Sequence, residues 1–328
     1  MVLLPDTQMY TYEHPEVFMR QTEWISANHA EHDMRFVLHE GDIVHHAAVE
    51  QQWEVAQRGM RVLNRAGVPY SLTTGNHDLF QDPSGKPNAV PGQALDADGK
   101  INHGHDRPWI YLRATPLNDF FNPSDYGASA SLGLFEPGRL ENSWHRFETP
   151  TGPVLVLSLE FSPRDAVLEW AGQIAAARPD HLAVLVTHAY TYHDHTRYHW
   201  EKYGAGQKWS PRSPDCALLE ADGGANDGED IWNKLIAKAP NIRFVFSGHV
   251  LGSGVAYLQT PNDRGLSVHQ LLANFQGGVQ PGYGWGGGGY LRLAQFLPGG
   301  ESVRFRSYSP WYDHFLTDAV HDFTLRLR

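Results

Sequence analysis

Short apolar segments alternate with amphipathic segments through the first third of the chain. The apolar segments 2–5, 36–38 and 69–72 have the length of buried strands. Between them, residues 15–32 and 47–66 carry apolar side chains at helical spacing, and a proline begins the first of these segments. Strands that alternate with helices pair in parallel through right-handed crossovers. The pattern therefore predicts an α/β fold.

The rest of the chain continues this pattern around two long segments without periodicity. Segment 79–142 is rich in Gly, Pro, Asn and Asp, and segment 189–227 is rich in His, Tyr and Trp, so both are predicted to be long loop excursions. The remaining predicted helices are 164–177 and 230–238, and the remaining predicted strands are 154–159, 182–186, 242–246, 268–272, 291–296, 303–308 and 323–327. Because no linker divides the chain, we expect one domain over residues 1–328.

Polar residues that can bind a cation follow five of the predicted strands. A single Asp or His at a strand end is usually a cap or a satisfied polar residue, but five in series indicate a shared site. Ligands collect at the carboxyl ends of parallel strands, so chain order alone predicts that these side chains are neighbours. They are Asp6, Asp42, Asn76, His188 and His249.

Composition and charge narrow the class of protein. The chain has 41% apolar residues and a formal net charge of −11, so it is a folded protein whose surface disfavours a nucleic-acid polymer. Its single cysteine excludes an internal disulfide and a Cys-rich zinc site. No apolar stretch approaches the length of a membrane span, and the first residues predict a strand and no signal peptide. The sequence does not predict the compartment. The protein would be extracytoplasmic if a leader was removed and cytoplasmic otherwise.

The polar motifs at the strand ends resemble those of the calcineurin-like metallophosphoesterase superfamily. The most specific of them is the Gly-Asn-His-Asp sequence at 75–78, and Asp-Thr-Gln at 6–8 resembles a bacterial branch. The resemblance implies a four-layer αββα sandwich, in which two mixed β-sheets are flanked by helices. It also implies a hydrolase of small phosphate esters, a phosphatase or phosphodiesterase, that uses a metal-activated water.

Carried onto this sequence, the resemblance implies two divalent transition-metal ions. Asp42 would bridge the two metals, Asn76, His188 and His249 would complete one metal site, and Asp6 would anchor the other. Imidazole ligands favour Zn, Mn, Fe or Ni over magnesium or calcium.

Two departures from the family motif weaken the metal site at Asp6. Gln8 and Leu251 stand where the family has histidines, and Gln8 offers only a weak carbonyl oxygen or a hydrogen bond to a water on the metal. His45 stands where purple acid phosphatases, another branch, place a metal-binding tyrosine. Either His45 completes the site, or it caps the following helix and the protein holds one metal tightly and one loosely.

The same resemblance assigns the catalytic side chains. His77 would be the general acid and would stabilise the transition state, with Asp78 behind the imidazole to orient it and raise its basicity. Two alternatives stay open, because the site at Asp6 is altered. One is a scaffold or binding protein without activity, and the other is a metallohydrolase that cleaves a non-phosphate ester or a sugar linkage.

Substrate contacts are expected from the two excursions and from a glycine-rich loop near the C-terminus. Arg197 is predicted to grip the phosphate, and the alternative for its guanidinium is a structural pair with an acidic neighbour. Aromatic side chains are predicted to line the pocket and to stack on a base or sugar, foremost Tyr190 and Trp285, together with Trp209. The oligomeric state is not predicted.

Overall fold

The described strands form two mixed seven-stranded sheets. In the computed structural model the described residues are 1–80, 113–126, 131–213, 218, 223–277 and 286–327. The strands are β1 (Val2–Leu4), β2 (Val37–His39), β3 (Tyr70–Ser71), β4 (Ser131–Leu134), β5 (Ser143–Thr149), β6 (Gly152–Ser158), β7 (Leu182–Val186), β8 (Ile242–Ser247), β9 (Val255–Pro261), β10 (Ser267–Ala273), β11 (Leu291–Phe296), β12 (Ser302–Ser309), β13 (His314–Phe315) and β14 (Asp322–Arg326). Within the described residues the first sheet has the order β13-β12-β11-β1-β2-β3, with β14 also on β12, and the second has the order β4-β5-β6-β7-β8-β10-β9.

The parallel strands lie in the middle of each sheet. In the first sheet β2 pairs in parallel with β1 and β3, and in the second the parallel run is β6, β7, β8 and β10. Antiparallel strands border both runs, since β11 pairs with β1 and β5 pairs with β6. All the parallel strands that precede a predicted ligand therefore end at one edge of their sheet.

The helices cover the outer faces of the sheets. They are α1 (Gln8–Tyr12), α2 (Pro15–Asn28), α3 (Glu50–Ala66), α4 (Leu117–Phe120), α5 (Asp165–Ala176), α6 (Trp200–Tyr203) and α7 (Gly228–Lys234). Side chains of α2 and α3 pack against β1 residues in one apolar cluster, and side chains of α5 and α7 pack against β6 and β7 in another.

A third apolar cluster joins the two sheets face to face. Leu3 of β1 and Leu38 of β2 belong to it, together with Val184 of β7 and Phe246 of β8. Successive residues of a strand point to opposite faces, which explains why Leu3 contacts the other sheet while Val2 and Leu4 face the helices. The layers are therefore helices, sheet, sheet and helices, and the predicted fold class is confirmed.

The predicted excursions contain regular structure that the residue pattern did not indicate. In the described part of segment 79–142 the chain forms α4 and β4, and β4 extends the second sheet beyond β5. A short edge strand and a four-residue helix are too brief to produce a hydrophobic period, which accounts for the difference. Among the described residues, no helix combines the length and the apolar character needed to cross a membrane.

Candidate metal site

The predicted ligands follow five strand ends, which belong to both sheets. In the first sheet Asp6, Asp42 and Asn76 follow β1, β2 and β3, and in the second sheet His188 and His249 follow β7 and β8. All five side chains are buried. Asn76 begins a 3-10 turn, Asn76–Asp78, directly after Gly75.

Asp42, His188 and His249 form a compact group of ligand atoms. One ligand atom from each of the three side chains lies within 4.8 Å of the other two. Among the described residues, no other set of three His, Cys, Asp or Glu side chains is this compact. His188 Nε2 is 3.1 Å from Asp42 Oδ2 and 3.2 Å from His249 Nδ1. A single cation can contact all three atoms at this spacing.

Backbone carbonyls determine which nitrogen of each histidine faces the group. His188 Nδ1 donates to the carbonyl of Glu40 at 2.8 Å, and His249 Nε2 donates to the carbonyl of Trp209 at 2.8 Å. The donor nitrogen must carry the hydrogen, since a carbonyl only accepts. The other nitrogen of each ring, Nε2 of His188 and Nδ1 of His249, is left to bind a metal, which is the usual arrangement for a histidine ligand.

The backbone around the group is crowded and locally strained. A Cβ at Gly75 would overlap the Asp42 carboxylate, and a Cβ at Gly248 would overlap that of Asp6. Asp42 and His249 themselves adopt positive φ angles of 47° and 73°, which non-glycine residues rarely do. Strain of this kind persists where the surrounding structure enforces it, and it is concentrated at functional sites.

Buried acids give the site a strong preference for positive charge. Burial raises the pKa of Asp6 to about 8, and the nearby Asp42 charge adds to the effect. Burial acts to raise the pKa of Asp42, but His188, His77 and His249 together hold this pKa below its usual range. Burial opposes the charged form of His188, yet Asp42 and Asp6 raise its pKa to about 9. The donor set and this excess of buried carboxylates both fit a divalent cation.

Asp6 joins the site by a different set of contacts. Its two oxygens accept from the backbone N–H of His249, and Oδ2 also accepts from Asn274 Nδ2 at 2.7 Å. Asp6 and His45 lie outside the group formed by Asp42, His188 and His249. In the described residues the second metal expected from the resemblance therefore has no comparable cluster.

The family model named calcineurin-like phosphoesterase matches residues 5–253, a range that contains all five predicted ligands. The chain belongs to the calcineurin-like phosphoesterase family. Members of this family are mostly hydrolases, and the buried Asp/His group is in keeping with a divalent metal.

Proteins similar to this chain include some of greater length. It is 29% identical to the uncharacterized protein YvnB of Bacillus subtilis over 94% of this chain, and it spans 20% of YvnB. The purple acid phosphatase PPD1 from yellow lupin superposes with a TM-score of 0.50 at 13% identity, covering 94% of this chain and 49% of the lupin chain. TT1561 of Thermus thermophilus superposes with a TM-score of 0.38 at 9% identity, covering 98% of each chain.

The imidazole of His77 is oriented by a backbone carbonyl, whereas the sequence predicted that Asp78 orients it. Its Nδ1 donates to the carbonyl of His45 at 2.8 Å, so Nε2 is the nitrogen left for a substrate. Its backbone N–H donates to Asp42 Oδ1 at 3.0 Å, which fixes the residue beside the candidate metal ligands.

Asp78 does not stand behind the imidazole of His77. Its carboxylate accepts from three backbone N–H groups, those of Ile43 at 3.1 Å, Val44 at 2.9 Å and Gly75 at 2.8 Å. In a 3-10 turn, adjacent side chains point about 120° apart, which separates the two groups. Asp78 instead joins the loop after β2 to the turn after β3, and burial raises its pKa to about 7.

Gln8 and His45 contact each other at the edge of the site. Gln8 Oε1 accepts from His45 Nδ1 at 3.0 Å, and Gln8 Nε2 donates to Gln276 Oε1 at 2.7 Å. The His45 ring stacks between Tyr12 and His77, with centroids 5.0 Å from each. A ligand role for Gln8 or His45 stays a prediction, and the contacts of Gln8 are those of a support for His45.

The predicted substrate contacts have structural partners. Arg197 pairs with Glu229 at 2.6 Å and lies over the Trp232 ring, which is the acidic pairing that the sequence left as its alternative. Tyr190 is fully buried and donates to Gln270 at 3.0 Å. These contacts give both side chains partners within the fold. The phosphate contact of Arg197 and the pocket-lining role of Tyr190 stay predictions. Trp285 lies outside the described residues.

Several supporting contacts were not predicted from the sequence. Asn274 and Gln276 follow β10, which is itself a parallel strand, so the rule that located the ligands also applied to them. Glu40 and Trp209 act through their backbone carbonyls, which carry no signal in the sequence.

Proposed function

We propose that this protein is a metal-dependent hydrolase of small phosphate esters. The observation that carries the proposal is the group formed by Asp42, His188 and His249. Backbone carbonyls determine which ring nitrogen of each histidine faces this group, and the backbone N–H of His77 donates a hydrogen bond to Asp42. We further propose that the chain belongs to a bacterial branch of the family, which the match to YvnB supports.

In this proposal Asp42, Asn76, His188 and His249 hold one transition-metal ion tightly. Asp6 and Asp42 hold a second ion more weakly, with His45 as the additional ligand. When bound, the cations supply positive charge that polarises the phosphoryl oxygens and lowers the pKa of water.

The chain's own residues supply the proton and the orientation of the substrate. The His45 carbonyl holds His77 through Nδ1, so His77 Nε2 can give its proton to the leaving oxygen. Water loses one proton to the solvent as its oxygen bonds to phosphorus, and the ester P–O bond breaks. The alcohol leaves with the Nε2 proton of the His77 imidazolium, which becomes neutral while Nδ1 still donates to the His45 carbonyl. Asp78 keeps the two ligand loops joined throughout.

The proposal is tested by metal content and substrate profile together. Protein purified in buffer containing Zn, Mn, Fe or Ni is analysed for bound metal, then assayed on a panel of phosphate monoesters and diesters. We expect stoichiometric metal and ester hydrolysis, both abolished in Asp42→Ala. The matched control is Asp322→Ala, which removes an acid of β14 that pairs with Arg304 of β12. This variant should retain the metal and the hydrolysis.

The alternatives predict different results. A scaffold protein would bind no stoichiometric metal, or would bind metal without hydrolysing any substrate. A metallohydrolase of another linkage would bind metal and cleave carboxylic esters or glycosides but no phosphate ester. Either result would overturn the assignment as a phosphoesterase.

A further inference from the structure

Trp209 has an unusual combination of fixed backbone and exposed side chain. Its carbonyl accepts from His249 Nε2, so a single imidazole ring separates this peptide from the metal-ligand group. The preceding residue is also held, because Lys208 N donates to the Tyr192 hydroxyl at 3.2 Å and the Lys208 carbonyl accepts from Tyr198 at 2.9 Å. Three hydrogen bonds therefore hold the main chain of residues 208 and 209 beside the candidate metal site.

The conformation of Trp209 is one that bulky residues rarely adopt. Its φ angle is +57°, in the left-handed region, where a side chain is strained. The strain is maintained by the contacts that pin the main chain. The residue as a whole is 45% exposed, so burial does not offset the strain. A strained and exposed aromatic residue next to a metal ligand is best explained by a ligand that covers it.

The other exposed large apolar residues lack this link. In the described part of the chain they are Leu266, Trp311, Tyr312 and Val320. Trp311 has a similar exposed fraction, 43%, but it lies beside the glycine turn at Gly289 and not beside Asp42, His188 or His249. Exposure alone is common at protein surfaces, and it is the bond to His249 that distinguishes Trp209.

We infer that Trp209 is a specificity-determining residue that stacks on a planar ring of the substrate. This inference rests on the proposed function, because the phosphate would be held by the metal site and the ring by the indole. Indole is uncharged and has a flat apolar face. This face can stack on an aryl group or a nucleobase, whereas a short alkyl group offers little area for contact. The substrate class is therefore a phosphate ester with an aromatic organic group.

The test compares aryl and alkyl esters in Trp209→Ala and Trp209→Phe. We expect Trp209→Ala to lower kcat/KM for phenyl phosphate about tenfold and to leave that for methyl phosphate within about twofold. Trp209→Phe keeps a ring and should retain most of the phenyl phosphate activity. Trp311→Ala removes an equally exposed tryptophan and should leave both substrates unaffected. Metal content is measured in every variant, since all of them retain the carbonyl that holds His249.

A loss that is equal for the two esters would mean that residue 209 acts only through the backbone, and no loss would mean that the indole contacts nothing. Either result overturns the inference. Calorimetry with phenylphosphonate and methylphosphonate separates it from the proposed function. Wild-type protein that hydrolyses no ester, yet binds phenylphosphonate more tightly in a Trp209-dependent manner, would support the stacking role and overturn the hydrolase. Equal binding of the two phosphonates, or binding of neither, would overturn the stacking role.

Discussion

Both carboxylate oxygens of Asp6 accept a hydrogen bond from the backbone N–H of His249, at 3.2 Å to Oδ1 and 3.0 Å to Oδ2. This contact joins the end of β1 in the first sheet to the end of β8 in the second. Asp6 therefore helps to position a candidate metal ligand from the opposite sheet, beyond any contact it makes with a cation. Such supporting contacts typically change metal affinity by 10- to 100-fold.

Gly248→Ala tests this contact without altering any ligand. An added Cβ would overlap Asp6 Oδ1, so the carboxylate or the strand end must shift. We expect a loss of about 1–3 kcal/mol in the free energy of unfolding and at least a tenfold weaker metal affinity. Thermal unfolding and metal titration measure the two effects.

The control for this substitution is Gly172→Ala in α5. Its Cβ would meet Leu235 at an ordinary 3.5 Å, so stability should be unchanged or slightly higher. If Gly248→Ala binds metal as the wild type does, the contact between Asp6 and His249 does not position the site.

His77→Ala should separate catalysis from metal binding. The substitution removes the imidazole but keeps the backbone N–H that donates to Asp42, so bound metal should be retained. We expect kcat to fall by about 10²–10⁴, the usual contribution of a general acid. Steady-state kinetics and metal analysis of the same preparation provide the comparison, with the exposed His32→Ala as control. Unchanged kcat would exclude His77 from the chemistry.

Asp78→Asn should act on stability and not through the basicity of His77. An amide NH₂ would face at least one of the backbone donors that the carboxylate now accepts, leaving a buried N–H unsatisfied. The expected cost is about 1–3 kcal/mol, measured by denaturant unfolding. The kcat of the folded, metal-loaded variant should stay close to that of the wild type. A large fall in kcat with unchanged stability would instead restore the role predicted from the sequence.

His145 should make the fold sensitive to acid. Burial between the Phe36 and Tyr126 rings lowers its pKa from 6.5 to about 3. Below pH 6.5 the unfolded chain takes up a proton that the folded chain refuses. Stability is therefore complete above pH 6.5 and is lost as the pH falls towards 3, by up to about 1.4 kcal/mol per pH unit.

His145→Gln removes this titration and should flatten the stability profile between pH 6.5 and 3 relative to the wild type. Urea unfolding at several pH values measures the difference, and the exposed His32→Gln should follow the wild-type profile. Parallel profiles for wild type and His145→Gln would show that His145 does not contribute to the acid sensitivity.

The layered fold was predictable because its main elements are long enough to show a period. The pattern located α2, α3 and α5 to within a few residues, and the strands Leu182–Val186 and Leu291–Phe296 match their predicted bounds. The short elements α1 and β4 were missed, since five and four residues carry too little periodicity.

The candidate site was predictable only as a set of positions. The rule that ligands gather where parallel strands end brought Asp42, His188 and His249 together correctly. The same rule does not predict the direction of side chains. It therefore did not decide whether the Arg197 guanidinium contacts a substrate phosphate or an acidic side chain of the protein. The acid is Glu229, a partner 32 residues away, which only the packing of α7 brings into contact.

The sequence by itself determined where most of the longer strands and helices lie along the chain, the residues at the strand ends and therefore the family of the protein, because periodicity and motif spacing are local properties of the chain. The tertiary structure alone decided which atoms face the candidate metal. The nitrogens of His188 and His249 are selected by the carbonyls of Glu40 and Trp209, which lie 148 and 40 residues away in the chain. A carbonyl belongs to every residue, so its use as a hydrogen-bond acceptor becomes visible only when the sheets are packed together.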